Sequence, residues 1–239
     1  MRLPELPAGR PVALLLIAGA LLLFIPYTLL TVYFDYPDIL REPAGTVLAR
    51  FHAGGPPLIW IWWSFAMSGL PLLPAFIRMG QLHESASPWT RTAMVLGIIA
   101  GILQVAGLLR WVFVVPVLAR AYAESDSEAV RAAAEIAFQA LHQFGGVILG
   151  EHLGQLFTIL WTVLMAWIFR QGRIFPAWLS YAAYAVSAIY LMAQAELFAT
   201  VIPGFPVWEP AGFIGSTLWL LWLIVLGGLY WRKTADSLA

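Results

Sequence analysis

Three charged side chains interrupt the apolar stretches of this sequence, and they are the first candidates for chemistry. Arg110, Glu151 and Glu196 each lie within or at the end of a run of apolar residues. A charge inside a membrane-spanning helix costs about 2.5–3.5 kcal/mol on insertion scales, so such residues need partners and are functional candidates by default. Because Arg110 and Glu151 carry opposite charges, we expect them to share one hydrogen-bonded network.

Further polar side chains lie at a similar predicted depth. His152 and Gln155 follow Glu151 within about one helical turn, and Gln194 precedes Glu196 by two residues. Such a group could form a ligand pocket or a buried polar network. The residues predicted to form it are Arg110, Glu151, His152, Gln155, Gln194 and Glu196.

Imidazole and carboxylate groups are also ligands of zinc, iron and copper. A metal site would draw on His52, His142, His152 and Glu151. The spacing is not diagnostic of a metal site, since the sequence contains no His-Glu-x-x-His. Haem held by two of these histidines is a weaker alternative, because His83 alone is available for a ligand pair at the opposite side of the membrane. His83 stands in a loop, where we expect it to be solvated.

The composition places these residues in a membrane protein. Of 239 residues, 61% are hydrophobic and 11% are charged, whereas soluble domains average about 45–50% apolar and about 25% charged residues. The absence of cysteine excludes disulfides, thiolate catalysis and iron–sulfur clusters. The net charge is zero and there is no basic run, so the sequence predicts no binding of nucleic acid.

Six stretches are long enough to cross about 30 Å of hydrocarbon. They cover residues 12–33, 56–78, 92–118, 138–169, 176–199 and 212–231. We therefore predict an all-α polytopic fold, a bundle of six transmembrane helices that forms a single domain over residues 1–239, with short helical segments outside the membrane.

Glycines and prolines predict where the long helices bend. A short helix over 44–53 should end at the run Gly54-Gly55-Pro56-Pro57. The pattern Ser125-x-x-Glu128 resembles a capping box and predicts a helix start near Asp126. An unbroken helix from there to the end of the fourth span would be about 66 Å long, so we predict a bend at Gly145-Gly146.

Glycines recur at every fourth position on two of the predicted spans. This small-xxx-small spacing lets helix backbones approach closely, so we expect these glycines to serve helix packing. They are Gly97 and Gly101 on the third span, and Gly146, Gly150 and Gly154 on the fourth.

Two stretches resemble the signature segments of a bacterial multi-pass inner-membrane family that is catalogued only as a domain of unknown function. They are Leu103–Pro116, which contains Arg110, and Leu149–Leu156, which contains Glu151 and His152. The resemblance implies a six-helix protein of the bacterial inner membrane and marks these three residues as motif residues. It implies no reaction, substrate or cofactor.

The basic residues predict the orientation in the membrane, because Lys and Arg concentrate in cytoplasmic loops. Eight lie on the side of both termini and four on the other side, which makes the termini cytoplasmic. The eight are Arg2, Arg10, Arg78, Arg91, Arg170, Arg173, Arg232 and Lys233. The four are Arg41, Arg50, Arg120 and Arg131.

Three functions fit these observations. The leading hypothesis is an inner-membrane protein whose outward-accessible His/Glu/Arg pocket binds a metal or a small ligand, with a metal-dependent or redox enzyme as one version of it. The second is a non-catalytic subunit of a larger membrane complex or a homo-oligomer, which would use the glycine faces for assembly. The third is a small-solute transporter. The sequence assigns no reaction and no specific ligand.

Overall fold

The computed structural model describes residues 9–236, and within this range it contains α-helices and no strand. A short 3₁₀ helix covers Asp38–Arg41, and a π-helical segment covers His142–Leu153. The ten α-helices of the described range are α1 (Gly9–Phe34), α2 (Ala44–Ser68), α3 (Leu72–Leu82), α4 (Thr90–Phe113), α5 (Val115–Glu124), α6 (Glu128–Leu141), α7 (Gly154–Gln171), α8 (Ala177–Met192), α9 (Gln194–Ala199) and α10 (Ala211–Asp236).

Six helical stretches of the described chain are long and apolar enough to cross a membrane. They cover Gly9–Phe34, Ala44–Leu82, Thr90–Glu124, Glu128–Gln171, Ala177–Ala199 and Ala211–Ala235. This finding confirms the predicted all-α fold with six spans, and it makes the chain an integral membrane protein whose environment is the lipid bilayer. The second, third and fourth stretches extend furthest beyond the predicted windows, because short helices continue beyond the apolar residues.

The second span contains the interruption that the Gly-Gly-Pro-Pro run predicted. Gly55 has φ 56° and ψ −158°, which are not helical angles, and it divides α2 into two parts. Positive φ is open to glycine because it lacks a Cβ atom. The first part therefore ends close to the predicted residue 53, and the apolar helix begins anew at Pro56-Pro57.

The fourth span bends through a π-helical segment. The predicted bend at Gly145-Gly146 lies inside this segment, which joins α6 to α7. Helix α6 begins at Glu128, after Ser127, and no side chain caps it. The predicted capping box is therefore absent; instead the Ser127 amide donates to Ser125 Oγ at 3.1 Å.

The chain divides into two compact units. The first unit contains Met1–Leu21, Leu70–Ile102 and His152–Ala239, and the second contains Leu22–Gly69 and Leu103–Glu151. The assignment of residues 1–239 to a single domain stays a prediction.

The core of the first unit contains tryptophan side chains of α7 and α10. Trp161 packs against Phe76 with ring centroids 4.2 Å apart, and Trp219 and Trp222 contact it edge to face. The indole Nε1 of Trp219 donates to Thr162 Oγ1 at 2.9 Å. Aromatic packing and a hydrogen bond thus join these two helices.

The core of the second unit is an aromatic stack. The rings of Trp62 and Trp111 lie 4.6 Å apart with an interplanar angle of 9°. Phe51 stacks on Trp111, and Phe34 meets both tryptophans edge to face. This stack joins α1, α2 and α4 and fixes Trp111 beside Arg110.

Candidate functional site

In the first unit, three polar side chains form a hydrogen-bonded chain inside the membrane spans. His152 Nδ1 lies 2.6 Å from Gln194 Oε1, and Gln194 Nε2 donates to Gln155 Oε1 at 2.6 Å. Gln194 is buried, whereas His152 and Gln155 are half-buried. We call this set, His152, Gln194 and Gln155, the amide chain.

Two helix junctions position the amide chain. His152 lies near the end of the π-helical segment, and Gln155 lies in the first turn of α7. Gln194 opens α9, after the break at Ala193 that ends α8. Each side chain therefore lies where one helix ends and the next begins. At such a junction a side chain can point in a direction that it would not have in a continuous helix.

The hydrogen bonds of the amide chain define which nitrogen of a neutral His152 ring carries the proton. The Gln194 amide nitrogen is used by Gln155, so its oxygen faces His152 and can only accept. The imidazole must then carry its proton on Nδ1, and in the neutral ring Nε2 keeps a lone pair. No described residue forms a hydrogen bond with Nε2 of His152 or with the amide nitrogen of Gln155.

Aromatic and acidic side chains lie near the amide chain. The Phe198 ring meets His152 edge to face, with centroids 6.2 Å apart. Glu196 is half-buried on α9, two residues after Gln194, and has an interaction of its own. Direct hydrogen bonds thus join three of the six predicted pocket residues, His152, Gln155 and Gln194. A fourth, Glu196, lies on α9 together with Gln194.

In the second unit, Arg110 is buried to 7% exposure. Its Nη1 donates to the Gly107 carbonyl oxygen at 2.5 Å, and its guanidinium carbon lies 5.3 Å from the centre of the Trp111 ring. Its Nε is buried and has no hydrogen-bond partner in the described chain. Glu151 interacts electrostatically with Arg110, as the predicted network requires, although that network stays a prediction.

Glycines of the π-helical segment make room for the Arg110 side chain. A Cβ atom added to Gly146 would lie 2.5 Å from Arg110 Nη2, and one added to Gly145 would lie 3.3 Å from Cδ. The guanidinium therefore fills the space that the missing side chains leave. We call Arg110, Gly107, Gly145, Gly146 and Trp111 the arginine cage.

The other predicted packing glycines also face neighbouring residues. A Cβ atom on Gly97 would meet Phe76 and Trp161 at 2.8 Å, and one on Gly101 would meet Leu73 at 2.4 Å. Gly150 faces Gly107 on α4, and Gly154 is buried at the start of α7.

The predicted metal ligands are not gathered into a site. Within the described residues, no three His, Asp or Glu side chains lie together in a way that could hold a metal ion. His52 is exposed on α2, and His142 stacks on Phe138 with ring centroids 5.7 Å apart. A metal centre built from three of these residues therefore finds no support in their placement, and haem held by two histidines stays a prediction.

His83 is not the solvated loop residue that its position predicted. Its Nε2 lies 2.5 Å from the Tyr230 hydroxyl, and its ring meets Phe169 edge to face. Burial, and to a smaller extent the charge of Lys233, lowers the pKa of His83 from 6.5 to about 4. The imidazole is therefore neutral at pH 7 and belongs to the packing of the first unit.

A family model of a domain of unknown function, DUF4386, matches residues 12–227. The chain belongs to the DUF4386 family. The match covers all six spans in whole or in large part, and it agrees with the resemblance of the segments around Arg110 and Glu151. No curated protein matches the chain, and no solved structure matches it.

One residue that sequence reasoning missed is central to the second unit of this family member. A Cβ atom on Gly107 would lie 2.8 Å from both the Gly145 carbonyl oxygen and Gly150 Cα. Gly107 lies six residues after Gly101, outside the every-fourth pattern, so spacing did not reveal it. Its position three residues before Arg110, on the same helix face, is the signal that could have found it.

Proposed function

We propose that this DUF4386 member binds a small polar molecule within the membrane, at His152, Gln155 and Gln194. The observation that carries the proposal is the amide chain, whose two ends keep unused hydrogen-bonding atoms. Buried polar groups in proteins are normally satisfied. His152 and Gln155 are half-buried and each uses only the atom that bonds Gln194, so both are suited to receive a ligand at their other polar atom.

The two unused polar atoms of the amide chain indicate which chemical groups a ligand must carry. The Nε2 lone pair of His152 accepts a hydrogen bond, and the Gln155 amide nitrogen donates one. A hydroxyl, carboxylic acid or amide group can meet both demands at once. The Phe198 ring beside His152 offers an apolar contact to the rest of the molecule.

A small molecule is favoured over a metal ion at this place. Nε2 of His152 is a good ligand for zinc or copper, but a catalytic zinc site needs about three protein ligands. The described residues offer no group of three. The amide chain orients His152 by its Nδ1 hydrogen bond, which is equally useful for recognition of an organic ligand.

The glycine faces argue against the alternative of a subunit that assembles through them. Gly97 and Gly101 already face side chains of the same chain, and Gly146 and Gly150 face Arg110 and Gly107. These surfaces are occupied within the monomer. No observation in the described residues favours a transporter over the binding protein proposed here.

We also propose that the protein resides in the bacterial inner membrane with both termini in the cytoplasm. The support is the eight-to-four distribution of Lys and Arg between the two sides. A reporter fused after Lys233 should be active only as a cytoplasmic reporter. Periplasmic activity of that fusion would reverse the orientation.

Native mass spectrometry of the protein purified from membranes tests the binding proposal. The wild type should carry a small-molecule adduct that is lost in His152→Phe and Gln155→Leu. His52→Phe is the matched control, because His52 is an exposed histidine and its replacement should leave the adduct in place. An adduct that survives His152→Phe, or stoichiometric metal by elemental analysis, would contradict the proposal.

A further inference from the structure

An apolar groove of about 500 Å³ lies along α7 in the first unit. Its size is within the range of about 300–1,000 Å³ that is common for ligand sites. The residues that line it are Leu96, Leu160, Val163, Leu164, Trp167 and Tyr184. Leu160 is 51% exposed and Val163 38% exposed, so the groove opens sideways toward the bilayer.

One face of α7 lines the groove, and this face continues to the basic residue Arg170. Leu160, Val163 and Trp167 follow the spacing of a single helical face, and Arg170 continues it by one more turn. Arg170 lies one residue before the end of this span at Gln171. From Leu160 to Arg170 the helix rises about 15 Å, which is half of a hydrocarbon core of about 30 Å.

Arg170 is held in place but is not neutralised. Its guanidinium carbon lies 4.6 Å from the centre of the Tyr181 ring, and its charge also reaches Tyr184 in the groove wall. No described residue forms an ion pair or a hydrogen bond with the Arg170 side chain. A guanidinium stacked on an aromatic ring keeps its N–H groups available, and these match the geometry of a phosphate.

We propose that this groove is a binding site for an anionic phospholipid, with the phosphate at Arg170 and one acyl chain along Leu160, Val163 and Trp167. Charge complementarity selects the headgroup, because an uncompensated arginine stands where the hydrocarbon ends. The rise from Leu160 in the groove to Arg170, about half of a bilayer core, selects a chain that enters from one leaflet. Tyr184, at the groove wall beside Arg170, adds a hydroxyl near the glycerol region of such a lipid.

The experiment is a lipid titration of the full-length protein in detergent, followed by native mass spectrometry. Phosphatidylglycerol is compared with phosphatidylcholine of the same acyl chains. Two variants probe the site: Arg170→Gln removes the charge, and Val163→Trp fills the groove. Their matched controls are Arg78→Gln, at an exposed arginine on α3, and Val225→Trp, at a valine that is 42% exposed on α10.

We expect the wild type to bind one phosphatidylglycerol more tightly than phosphatidylcholine. Arg170→Gln should weaken phosphatidylglycerol binding about fivefold, the equivalent of about 1 kcal/mol for a basic residue near an anionic surface. Val163→Trp should weaken both lipids, and the two controls should change neither. His152→Phe should also leave lipid binding unchanged, because the groove is independent of the amide chain.

Two results would overturn the proposal. Equal binding of the two lipids by the wild type would show that Arg170 selects no headgroup. An equal loss in Arg78→Gln and Arg170→Gln, or in Val225→Trp and Val163→Trp, would show annular lipid only. Thermal unfolding of each variant verifies that it is folded, which is expected because both substituted side chains are exposed.

Discussion

In the first unit, the amide chain is half-buried and keeps free hydrogen-bonding atoms at both ends, whereas in the second unit the arginine cage encloses its charge. Gln194, a neutral side chain, accepts a hydrogen bond from His152 and donates one to Gln155. Arg110 instead is packed against glycine backbone and the Trp111 ring, with one hydrogen bond to Gly107. Because Arg110 is 7% exposed and packed against glycines, we propose a structural role for the cage and recognition at the amide chain.

The largest expected effect concerns Gly107 of the arginine cage. In Gly107→Ala, the added Cβ would lie 2.8 Å from the Gly145 carbonyl oxygen and 3.0 Å from the Gly150 nitrogen. Both are backbone atoms that cannot rotate away, so the free energy of unfolding should fall by up to about 3 kcal/mol, the upper end for overpacking. Thermal unfolding in detergent measures this loss.

Gly150→Ala is the matched control for Gly107→Ala. Its Cβ would lie 3.5 Å from the Gly145 oxygen and 3.6 Å from Gly107 Cα, which are ordinary contacts. Its stability should therefore stay within about 1 kcal/mol of the wild type, because alanine also favours the helix by up to that amount. Equal losses in the two variants would contradict the close approach of Gly107 to the π-helical segment.

The second effect concerns the charge of the cage. If Glu151 offsets Arg110, Glu151→Gln should destabilise the protein, and Arg110→Leu combined with Glu151→Leu should recover much of the loss. Coupled residues show interaction energies of about 0.5–3 kcal/mol in double-mutant cycles. Additive losses in the cycle, measured by thermal unfolding, would show that the two side chains do not compensate each other.

The sequence predicted the fold better than the site, for physical reasons. Six long apolar stretches specify six spans whatever their partners are, because length and composition suffice. Gly55 and Gly145-Gly146 likewise marked local breaks through their own backbone properties. The sequence signals for the helices and for their interruptions are therefore local.

Partners within the site depend on contacts between distant residues, which one sequence does not show. His152 and Gln194 were placed at a similar depth, but their hydrogen bond spans 42 residues and arises where the helices change register. The network of Arg110 with Glu151 stays a prediction, and Gly145 and Gly146 were predicted as a bend rather than as neighbours of Arg110. His83 appeared solvated because its partner Tyr230 is 147 residues away.

His83 gives a pH-dependent comparison within the first unit. The unfolded chain has a histidine pKa near 6.5, and the folded chain has a pKa of about 4 for His83. Between these values the unfolded state binds the extra proton, so the contribution of His83 to stability should be full above pH 6.5 and should be lost as the pH drops from 6.5 toward 4. The melting temperature measured over this range checks the slope.

The variant His83→Gln should reduce that slope, because it removes the titrating group near Tyr230 and Lys233. Equal slopes of the melting temperature in the wild type and in His83→Gln between about pH 6.5 and about pH 4.5 would show that His83 is not buried as described.

The smallest expected effect on stability concerns the amide chain itself. His152→Ala removes one hydrogen bond from a half-buried side chain, and a typical net contribution is about 0.5–1.5 kcal/mol. The loss should lie at the lower end, well below that of Gly107→Ala, since the site is built to be open. A loss as large as that of Gly107→Ala would make the amide chain a structural link rather than a binding site.

The most direct test of the central claim is the ¹⁵N NMR spectrum of His152 in lipid bilayers, assigned by comparison with His152→Ala. The claim is that Gln194 holds the proton on Nδ1 and leaves Nε2 with a lone pair for a ligand. The account predicts a protonated Nδ1 and an unprotonated Nε2 in the neutral ring, with this preference lost in Gln194→Leu. A neutral ring protonated on Nε2 in the wild type would contradict it.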